Sequence, residues 1–243
     1  MTTILAPYHL DERIGDLGVP ADRTVVTSLP PGDPWSRMAV QYAAVADQVA
    51  EAVRAGERPT VISGDCTTAL GTIAGLQRAG LDPAIVWLDA HGDVQTPETT
   101  TSGYLGGMPL RLLVGHRRDL IADRLGLRDV PEERVVLVDA RELDPPEADY
   151  LAGSAIRRTT VEELAGDLLP DGPLYLHVDF DVVDPDELPG LLFPAPGGPP
   201  FDAVADAIRR VLATGRVAAF GAACTWHPGQ GDPDRVRPLL QTG

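Results

Sequence analysis

The stretch Ala84-Ile85-Val86-Trp87-Leu88-Asp89-Ala90-His91-Gly92-Asp93 decides the fold. Its first five residues are apolar, and polar side chains then follow at alternate positions, Asp89, His91 and Asp93. An apolar run of this length without interspersed polar residues is typical of a strand buried on both faces of a parallel sheet. Ligands of open α/β sheets bind beyond the carboxyl ends of such strands. The stretch therefore predicts a binding site directly after a buried strand.

Similar β-type runs recur along the chain. They lie at Thr24–Thr27, Thr60–Ser63, Arg134–Val138, Leu174–Val178 and Val217–Ala222. Helical periodicity separates several of them, at Arg37–Ala55, Thr67–Ala79, Val161–Leu168 and Phe201–Ala213. This alternation predicts an α/β fold with a mainly parallel central sheet and helices on both faces. Because we find no repeat and no low-complexity segment, we expect a single domain over residues 1–243.

Composition excludes several classes of function. The net charge of −16 argues against a nucleic-acid backbone and an anionic membrane surface as partners. No apolar run approaches the roughly 20 residues of a membrane span. The chain has two cysteines, too few for a disulfide framework, and its first residues lack the pattern of a secretory signal. We therefore expect a soluble, cytoplasmic protein.

Two further strand ends carry polar motifs, Gly64-Asp65-Cys66 and Asp179-Phe180-Asp181. The fold brings such ends to one edge of the sheet, where four carboxylates would repel one another severely. Two divalent cations would remove this conflict and lower the pKa of a water between them. Taken singly, each motif is also consistent with a turn or a helix cap. Together they predict a metal site whose ligands are Cys66, Asp89, His91, Asp93, Asp179 and Asp181.

These motifs resemble those of the ureohydrolases, the arginase and agmatinase family. The resemblance runs from about residue 60 to residue 228 and rests on Gly64–Cys66, Asp89–Asp93, Thr96–Gly103 and Asp179–Pro185. It implies a three-layer α-β-α fold of the arginase/deacetylase-like type. It also implies two Mn²⁺ ions bridged by hydroxide, attack on a guanidino carbon, and release of urea or a urea analogue. By the same resemblance, Asp93 also accepts a proton from the bridging water.

The loop after Asp93 resembles the arginase version of the family. Gln95, Ser102 and Tyr104 stand at positions similar to those that bind the substrate α-carboxylate. Asp144 and Glu147 stand where two acids of the family hold the α-amino group. The Asp-Pro-Pro-Glu pattern is also a good helix start, and both interpretations can hold. The resemblance therefore implies a guanidino amino acid as substrate.

The first departure from the family is Cys66, where the family has a histidine ligand. We interpret Cys66 as a thiolate ligand, since a nearby dication would lower its pKa. A buried, inert cysteine and a site with one ligand fewer are the alternatives. A thiolate would shift the metal preference from Mn²⁺ towards Zn²⁺ or Fe²⁺.

Two further departures concern catalysis. Gly106 stands where the family keeps its general acid/base histidine, and Thr225 stands where the family has a glutamate that pairs with the guanidinium. Pro200 replaces a polar family residue as well. General acid–base catalysis contributes typically ~10²–10⁴-fold, so hydrolysis of arginine would suffer. The absence of the histidine and the glutamate suits a neutral substrate whose leaving amine needs less assistance from a general acid.

Cys66 together with residues 96–100 and 103–108 also resembles the Nω-hydroxy-L-arginine hydrolases of this family. Our first hypothesis is hydrolysis of Nω-hydroxy-L-arginine to L-ornithine and hydroxyurea. The alternatives are an arginase or another guanidino or amidino hydrolase, and a catalytically impaired scaffold that acts as a binding protein. We interpret His227 as a surface or capping residue, with a proton shuttle as the alternative, and assign no role to His9. The oligomeric state stays open, with a monomer among the options.

Overall fold

Parallel strands and helices alternate along the computed structural model, which describes residues 1–15 and 17–241. Asp16, Thr242 and Gly243, part of the predicted domain 1–243, lie outside the described residues. The strands are β1 Thr2–Ala6, β2 Tyr8–His9, β3 Glu12–Arg13, β4 Arg23–Thr24, β5 Pro59–Ser63, β6 Ala84–His91, β7 Val135–Glu142, β8 Arg157–Thr159, β9 Leu174–Asp179 and β10 Val217–Ala223. The helices are α1 Pro34–Arg54, α2 Ala69–Arg78, α3 Pro109–Leu113, α4 Ala122–Leu125, α5 Pro145–Gly153, α6 Phe201–Leu212 and α7 Pro233–Leu240.

Eight of these strands form one sheet in the order β4-β1-β5-β10-β9-β6-β7-β8, and each described neighbouring pair is parallel. Strands β2 and β3 form a separate antiparallel hairpin. The four central strands β5, β10, β9 and β6 are consecutive neighbours, so their carboxyl ends lie side by side. The predicted metal ligands lie at or just beyond the carboxyl ends of three of these four strands, β5, β9 and β6.

Side chains of strand β6 alternate between the two faces of the sheet. Ile85 and Trp87 lie in the core cluster that contains helices α1 and α2, whereas Val86 and Leu88 lie in the cluster that contains α6. Burial on both faces explains why the strand is apolar throughout. The prediction of an α/β fold with helices on both sides of a parallel sheet is confirmed. Within the described residues, no helix combines the length and the apolar character that a membrane span requires.

The predicted helix Val161–Leu168 is wrong. The segment forms a turn followed by a short 3₁₀ helix at Gly166–Leu168. The Arg210 side chain donates hydrogen bonds to the carbonyl oxygens of Val161 (2.8 Å) and Leu164 (3.2 Å). These carbonyls would otherwise accept the first bonds of a helix. Val161 and Leu164 are still buried, so the apolar spacing reports burial rather than helical structure.

The predicted strand Thr24–Thr27 shortens to β4 at Arg23–Thr24. The Thr27 backbone N–H leaves the sheet and donates to the Tyr8 hydroxyl at 3.0 Å. Sequence analysis also missed β1 and β8. The run Thr2-Thr3-Ile4-Leu5-Ala6 of β1 carries an ordinary strand signal, whereas β8 has three residues, two of them arginines, and carries none.

Helix α2 begins directly after Cys66–Thr68 and packs closely on α1. A Cβ atom at Gly75 would lie 2.7 Å from the carbonyl oxygen of Ala46 and 2.6 Å from Cβ of Val49. Both neighbours belong to α1, which cannot retreat because its inner face is buried. Glycine at position 75 therefore sets the distance between the helices.

We predict that Gly75→Ala lowers the free energy of unfolding by ~1–3 kcal/mol, the usual cost of overpacking a core. Urea denaturation followed by circular dichroism measures this change. Gly153→Ala is the matched control, since a Cβ atom there has no neighbour within 4 Å. Equal stability of the two variants would contradict the close helix approach.

Candidate metal centre

Strand β6 delivers Asp89 and His91 from its carboxyl end, as predicted. The two residues are two positions apart and therefore point to the same side of the strand. The Asp89 carboxylate accepts a hydrogen bond from the His91 backbone N–H at 2.7 Å, which fixes the acid against its own strand. Asp93 lies beyond the strand, where its backbone has φ +54°. This turn, rather than continued extension, brings the Asp93 side chain back to the site.

Asp179 and Asp181 reach the site through a turn rather than along an extended strand. Asp179 ends β9 and caps a 3₁₀ turn at Phe180–Val182, where its side chain accepts the Asp181 N–H at 3.1 Å. The Asp181 carboxylate then accepts the Ala90 backbone N–H at 3.3 Å. The turn thereby places Asp181 against the neighbouring strand β6.

Cys66 begins the 3₁₀ turn Cys66–Thr68 that follows β5. Asp65 caps this turn by accepting the Thr67 N–H at 2.7 Å. The Cys66 sulfur lies 2.9 Å from Asp179 Oδ2 and 3.8 Å from Asp89 Oδ2. The cysteine is therefore in the cluster of acids, as a ligand position requires.

The six predicted ligands gather at one place. One group comprises Cys66, Asp89 and Asp93, and a second comprises Asp89, His91 and Asp181, with the ligand atoms of each group within 4.8 Å of one another. Both groups use Asp89. Asp179 touches Cys66 of the first group and, through its capping bond, Asp181 of the second. The arrangement suits two neighbouring cations that share carboxylates.

The electrostatics of the site call for positive charge. Burial and the neighbouring acids raise the pKa values of Asp93 and Asp179 well above their usual range. Burial works against protonation of His91, yet the hydrogen bonds and charges of Asp181 and Asp89 raise its pKa to about 12. Without a cation, the protons on these groups reduce the repulsion.

Asp93 gives an independent sign that a ligand belongs here. Its Oδ2 atom is buried and has no hydrogen-bond partner among the described residues. A buried carboxylate oxygen without a partner is costly unless it binds a cation. Carboxylate oxygens, one imidazole and one thiol together form a donor set that divalent metals accept. The residues present therefore fit two divalent cations.

Trp87 belongs to the hydrophobic core and also contacts the site. Its indole Nε1–H donates to Asp89 Oδ2 at 3.1 Å, and its ring stacks on His177 with centroids 3.7 Å apart. His177 is itself held by the Tyr175 hydroxyl at 3.0 Å. The signal for this role was present, because Trp87 precedes Asp89 by two positions and shares its side of the strand.

A cavity of about 150 Å³ opens above the ligand cluster. Each residue assigned to the substrate by resemblance lines it, namely Gln95, Ser102, Tyr104, Asp144 and Glu147. The Gln95 side-chain amide donates to Asp144 at 2.7 Å. Both Glu147 oxygens accept backbone N–H groups, from Val94 at 3.2 Å and from Asp144 at 3.1 Å, so the helix-start interpretation holds for this acid. Substrate binding by the five residues stays a prediction.

Gly106 and Thr225 also line the cavity. The Thr225 hydroxyl is buried and donates to the Asp179 carboxylate. It therefore orients a predicted metal ligand and brings no charge for a guanidinium. Sequence analysis missed Phe193, which forms part of the wall and lies in a proline- and glycine-rich loop without any periodic pattern.

We predict that Cys66→Ala lowers the affinity for one of two divalent cations by at least about tenfold. Removal of a direct ligand should cost no less affinity than loss of a residue that only orients a ligand. Metal content after dialysis, measured by mass spectrometry, checks this. Cys224→Ala is the matched control, because Cys224 is equally buried and lies outside both ligand groups. Equal occupancy in the two variants would show that Cys66 is no ligand.

Comparisons with known proteins agree with this geometry. The arginase family model matches residues 10–223. The arginase of Bacillus subtilis is 28% identical over 211 residues, covering 78% of this chain and 71% of that protein. The N(omega)-hydroxy-L-arginine amidinohydrolase of Streptomyces lavendulae is 30% identical over 165 residues, covering 65% of this chain and 59% of that protein.

A solved structure shows the shared fold. The native arginase of Bacillus caldovelox superposes with a TM-score of 0.82 at 23% identity, over 99% of this chain and 96% of that one. At this identity the likeness concerns the fold, whereas the family model covers most of the chain. The chain therefore belongs to the arginase family, whose members are hydrolases that act on the C–N bonds of amidines.

Proposed function

We propose that this protein hydrolyses the guanidino group of a free amino acid, with Nω-hydroxy-L-arginine as substrate and L-ornithine and hydroxyurea as products. One observation carries the proposal. The two ligand groups at the base of the cavity lie below a wall formed by Gln95 and Asp144, which can hold an amino acid. The relatives in Bacillus subtilis and Streptomyces lavendulae support the reaction class.

Two Mn²⁺ ions are the proposed cofactors. Cys66, Asp89 and Asp93 would hold one, Asp89, His91 and Asp181 the other, and Asp179 would complete both sets. Divalent cations bound there supply Lewis acidity and a nucleophilic water at neutral pH. A thiolate favours softer metals than Mn²⁺, so Zn²⁺ and Fe²⁺ belong in any test of metal preference.

Asp93 has the role of proton acceptor in this proposal. Its Oδ2 atom lies buried and without a hydrogen-bond partner among the described residues, so it is available to a proton of the attacking water. The other carboxylates near it already accept bonds from Trp87, Ala90 or Thr225. This difference separates Asp93 from the acids that serve only as ligands.

The amino-acid end of the substrate is assigned to the outer wall. Asp144 is exposed and accepts the Gln95 amide, whereas Glu147 is buried with both oxygens bonded. Asp144 is therefore the acid that pairs with the α-amino group. Gln95 orients Asp144, and the exposed Ser102 hydroxyl is available to the α-carboxylate.

The opposite end of the cavity, at Thr225, favours a neutral guanidino group. The Thr225 hydroxyl donates its hydrogen bond to Asp179. This position carries no carboxylate that could balance the charge of a guanidinium. An N-hydroxyl substituent withdraws electrons and makes the group less basic, so much of it is uncharged near neutral pH. L-Arginine is the second candidate, because the arginase of Bacillus subtilis aligns over a larger share of this chain.

A substrate panel tests the proposal. Purified protein with measured metal content is assayed with Nω-hydroxy-L-arginine, L-arginine and agmatine. We expect the highest kcat/KM with the hydroxylated amino acid and the lowest with agmatine, which lacks the α-carboxylate. Faster turnover of L-arginine would contradict the assigned substrate. Two bound metals without turnover of any of the three would contradict an enzymatic function.

We predict that Asp144→Asn raises the Kd of L-ornithine by about 10- to 100-fold, because a charge-assisted hydrogen bond is worth ~1.5–3 kcal/mol. Calorimetric titration measures this. The control ligand is 5-guanidinopentanoate, which has no α-amino group and should bind both proteins equally. Asp149→Asn on the same helix α5 is the control variant. An equal loss for both ligands would refute the amino-group role.

A further inference from the structure

Tyr104 fills the space that a side chain at position 106 would need. Gly106 is buried in the wall of the cavity, and a Cβ atom built on it would collide with ring atoms and the hydroxyl of Tyr104. A side chain at 106 therefore requires the Tyr104 ring to leave its present position. The Tyr104 hydroxyl occupies the place that Gly106 leaves empty.

The Tyr104 hydroxyl has one defined hydrogen-bond partner, the imidazole of His9. Its Oη atom lies 3.1 Å from His9 Nε2, and His9 Nδ1 lies 2.9 Å from the carbonyl oxygen of Gly64. A carbonyl oxygen only accepts hydrogen bonds, so Nδ1 of His9 carries a proton. In the neutral imidazole, Nε2 is then the acceptor, and the Tyr104 hydroxyl donates to it. The lone pairs of Oη are left for the cavity.

The hairpin that carries His9 is fixed to the metal-site strand. The Gly64 N–H donates to Tyr8 O at 3.0 Å, and the Leu10 N–H donates to Asp65 at 2.6 Å. A Cβ atom at Gly64 would lie 2.6 Å from Tyr8 O, so glycine is what permits this approach. His9 is thereby held next to the residues that precede Cys66, although it is 95 positions from Tyr104.

Two aromatic rings hold the Tyr104 ring in place. His9 stacks on it with centroids 5.8 Å apart, and Phe193 packs on it at 4.9 Å. Phe193 is 39% exposed and lies at the outer part of the cavity wall. The hydroxyl is therefore directed by packing as well as by its hydrogen bond.

We infer that Tyr104 and His9 form the proton relay of this enzyme in place of the side chain that Gly106 lacks. The inference rests on the proposed function. Tyr104 is the catalytic residue of this relay, because it lines the cavity in which the substrate would bind, and His9 acts through Tyr104 as a positioning residue and proton store. The role given to Tyr104 by resemblance, binding of the α-carboxylate, is the alternative.

The relay conserves protons. Asp93 takes one proton of the attacking water and returns it to a guanidino nitrogen that stays on the carbon. The second proton of that water passes to Tyr104 Oη once its oxygen has bonded to the guanidino carbon. The phenolic proton moves to His9 Nε2, which leaves a neutral phenol and an imidazolium. When the bond between this carbon and the ornithine nitrogen breaks, the electron pair stays on that nitrogen. Tyr104 then protonates the nitrogen and recovers a proton from His9, so both residues return to their starting state.

Kinetics of three variants test the relay. Tyr104→Phe should lower kcat by ~10²–10⁴-fold, the usual contribution of general acid–base catalysis, with KM unchanged. His9→Gln should also lower kcat with KM unchanged. Tyr150→Phe and His116→Gln are the matched controls and should keep the wild-type kcat. A higher KM with unchanged kcat for Tyr104→Phe would overturn the relay and support a role of Tyr104 in binding the α-carboxylate.

A rescue experiment uses the exclusion between positions 104 and 106. Gly106→His alone should lose activity, because its side chain collides with Tyr104. The double variant Tyr104→Asn/Gly106→His should exceed Tyr104→Asn in kcat by at least tenfold, since the imidazole then has both space and access. No gain in the double variant would overturn the claim that the two positions serve one role.

A measurement without turnover separates the relay from the proposed function. Nitrogen-15 NMR of the histidine rings should show His9 as the Nδ1–H tautomer, identified by its absence in His9→Gln, and Tyr104→Phe should shift its Nε2 resonance. An Nε2–H tautomer overturns the relay. A wild-type protein with two metals that hydrolyses no guanidino compound overturns the proposed function and the relay together, whereas full activity in Tyr104→Phe overturns the relay alone.

Discussion

Mutual repulsion of buried acids is the constraint on which the site depends. Asp89, Asp93, Asp179 and Asp181 are each at most 5% exposed and share one small volume with Cys66. Four carboxylates so close together in a protein interior are stable only when protons or cations balance their charge. Cations would balance the charge of the acids while the carboxylate oxygens act as ligands. Protons would balance the same charge without providing a metal centre.

The parallel sheet makes this concentration of charge attainable. Strands β5, β10, β9 and β6 are consecutive, so one edge of the sheet presents Cys66, Thr225, Asp179 and Asp89 side by side. Burial of each strand on both faces fixes the register, and backbone N–H groups at the strand ends fix the carboxylates. The rigid part of the fold thus holds the charges, and the loops above it line the cavity.

Local sequence patterns predicted most of the residues that gather in the acidic cluster, but they did not reveal other residues of the site. An apolar strand followed by Asp89 and His91 needs only alternation, and the same holds for the class of the fold. Asp181 required a 3₁₀ turn capped by Asp179, and Asp93 required a positive φ, which the pattern does not encode. The contact of His9 with Tyr104 depends on the packing of the β2–β3 hairpin on Gly64. Local sequence patterns carry no information on this long-range contact, so it could not be predicted.

Anomalous diffraction from crystals grown with Mn²⁺ tests most directly whether two cations balance the buried acids. Data collected at the manganese absorption edge should show two peaks, one among Cys66, Asp89 and Asp93 and one among Asp89, His91 and Asp181. The ligand side chains should keep the positions described here. A well-ordered site without anomalous peaks, with its acidic side chains turned away from one another, would contradict a two-metal centre.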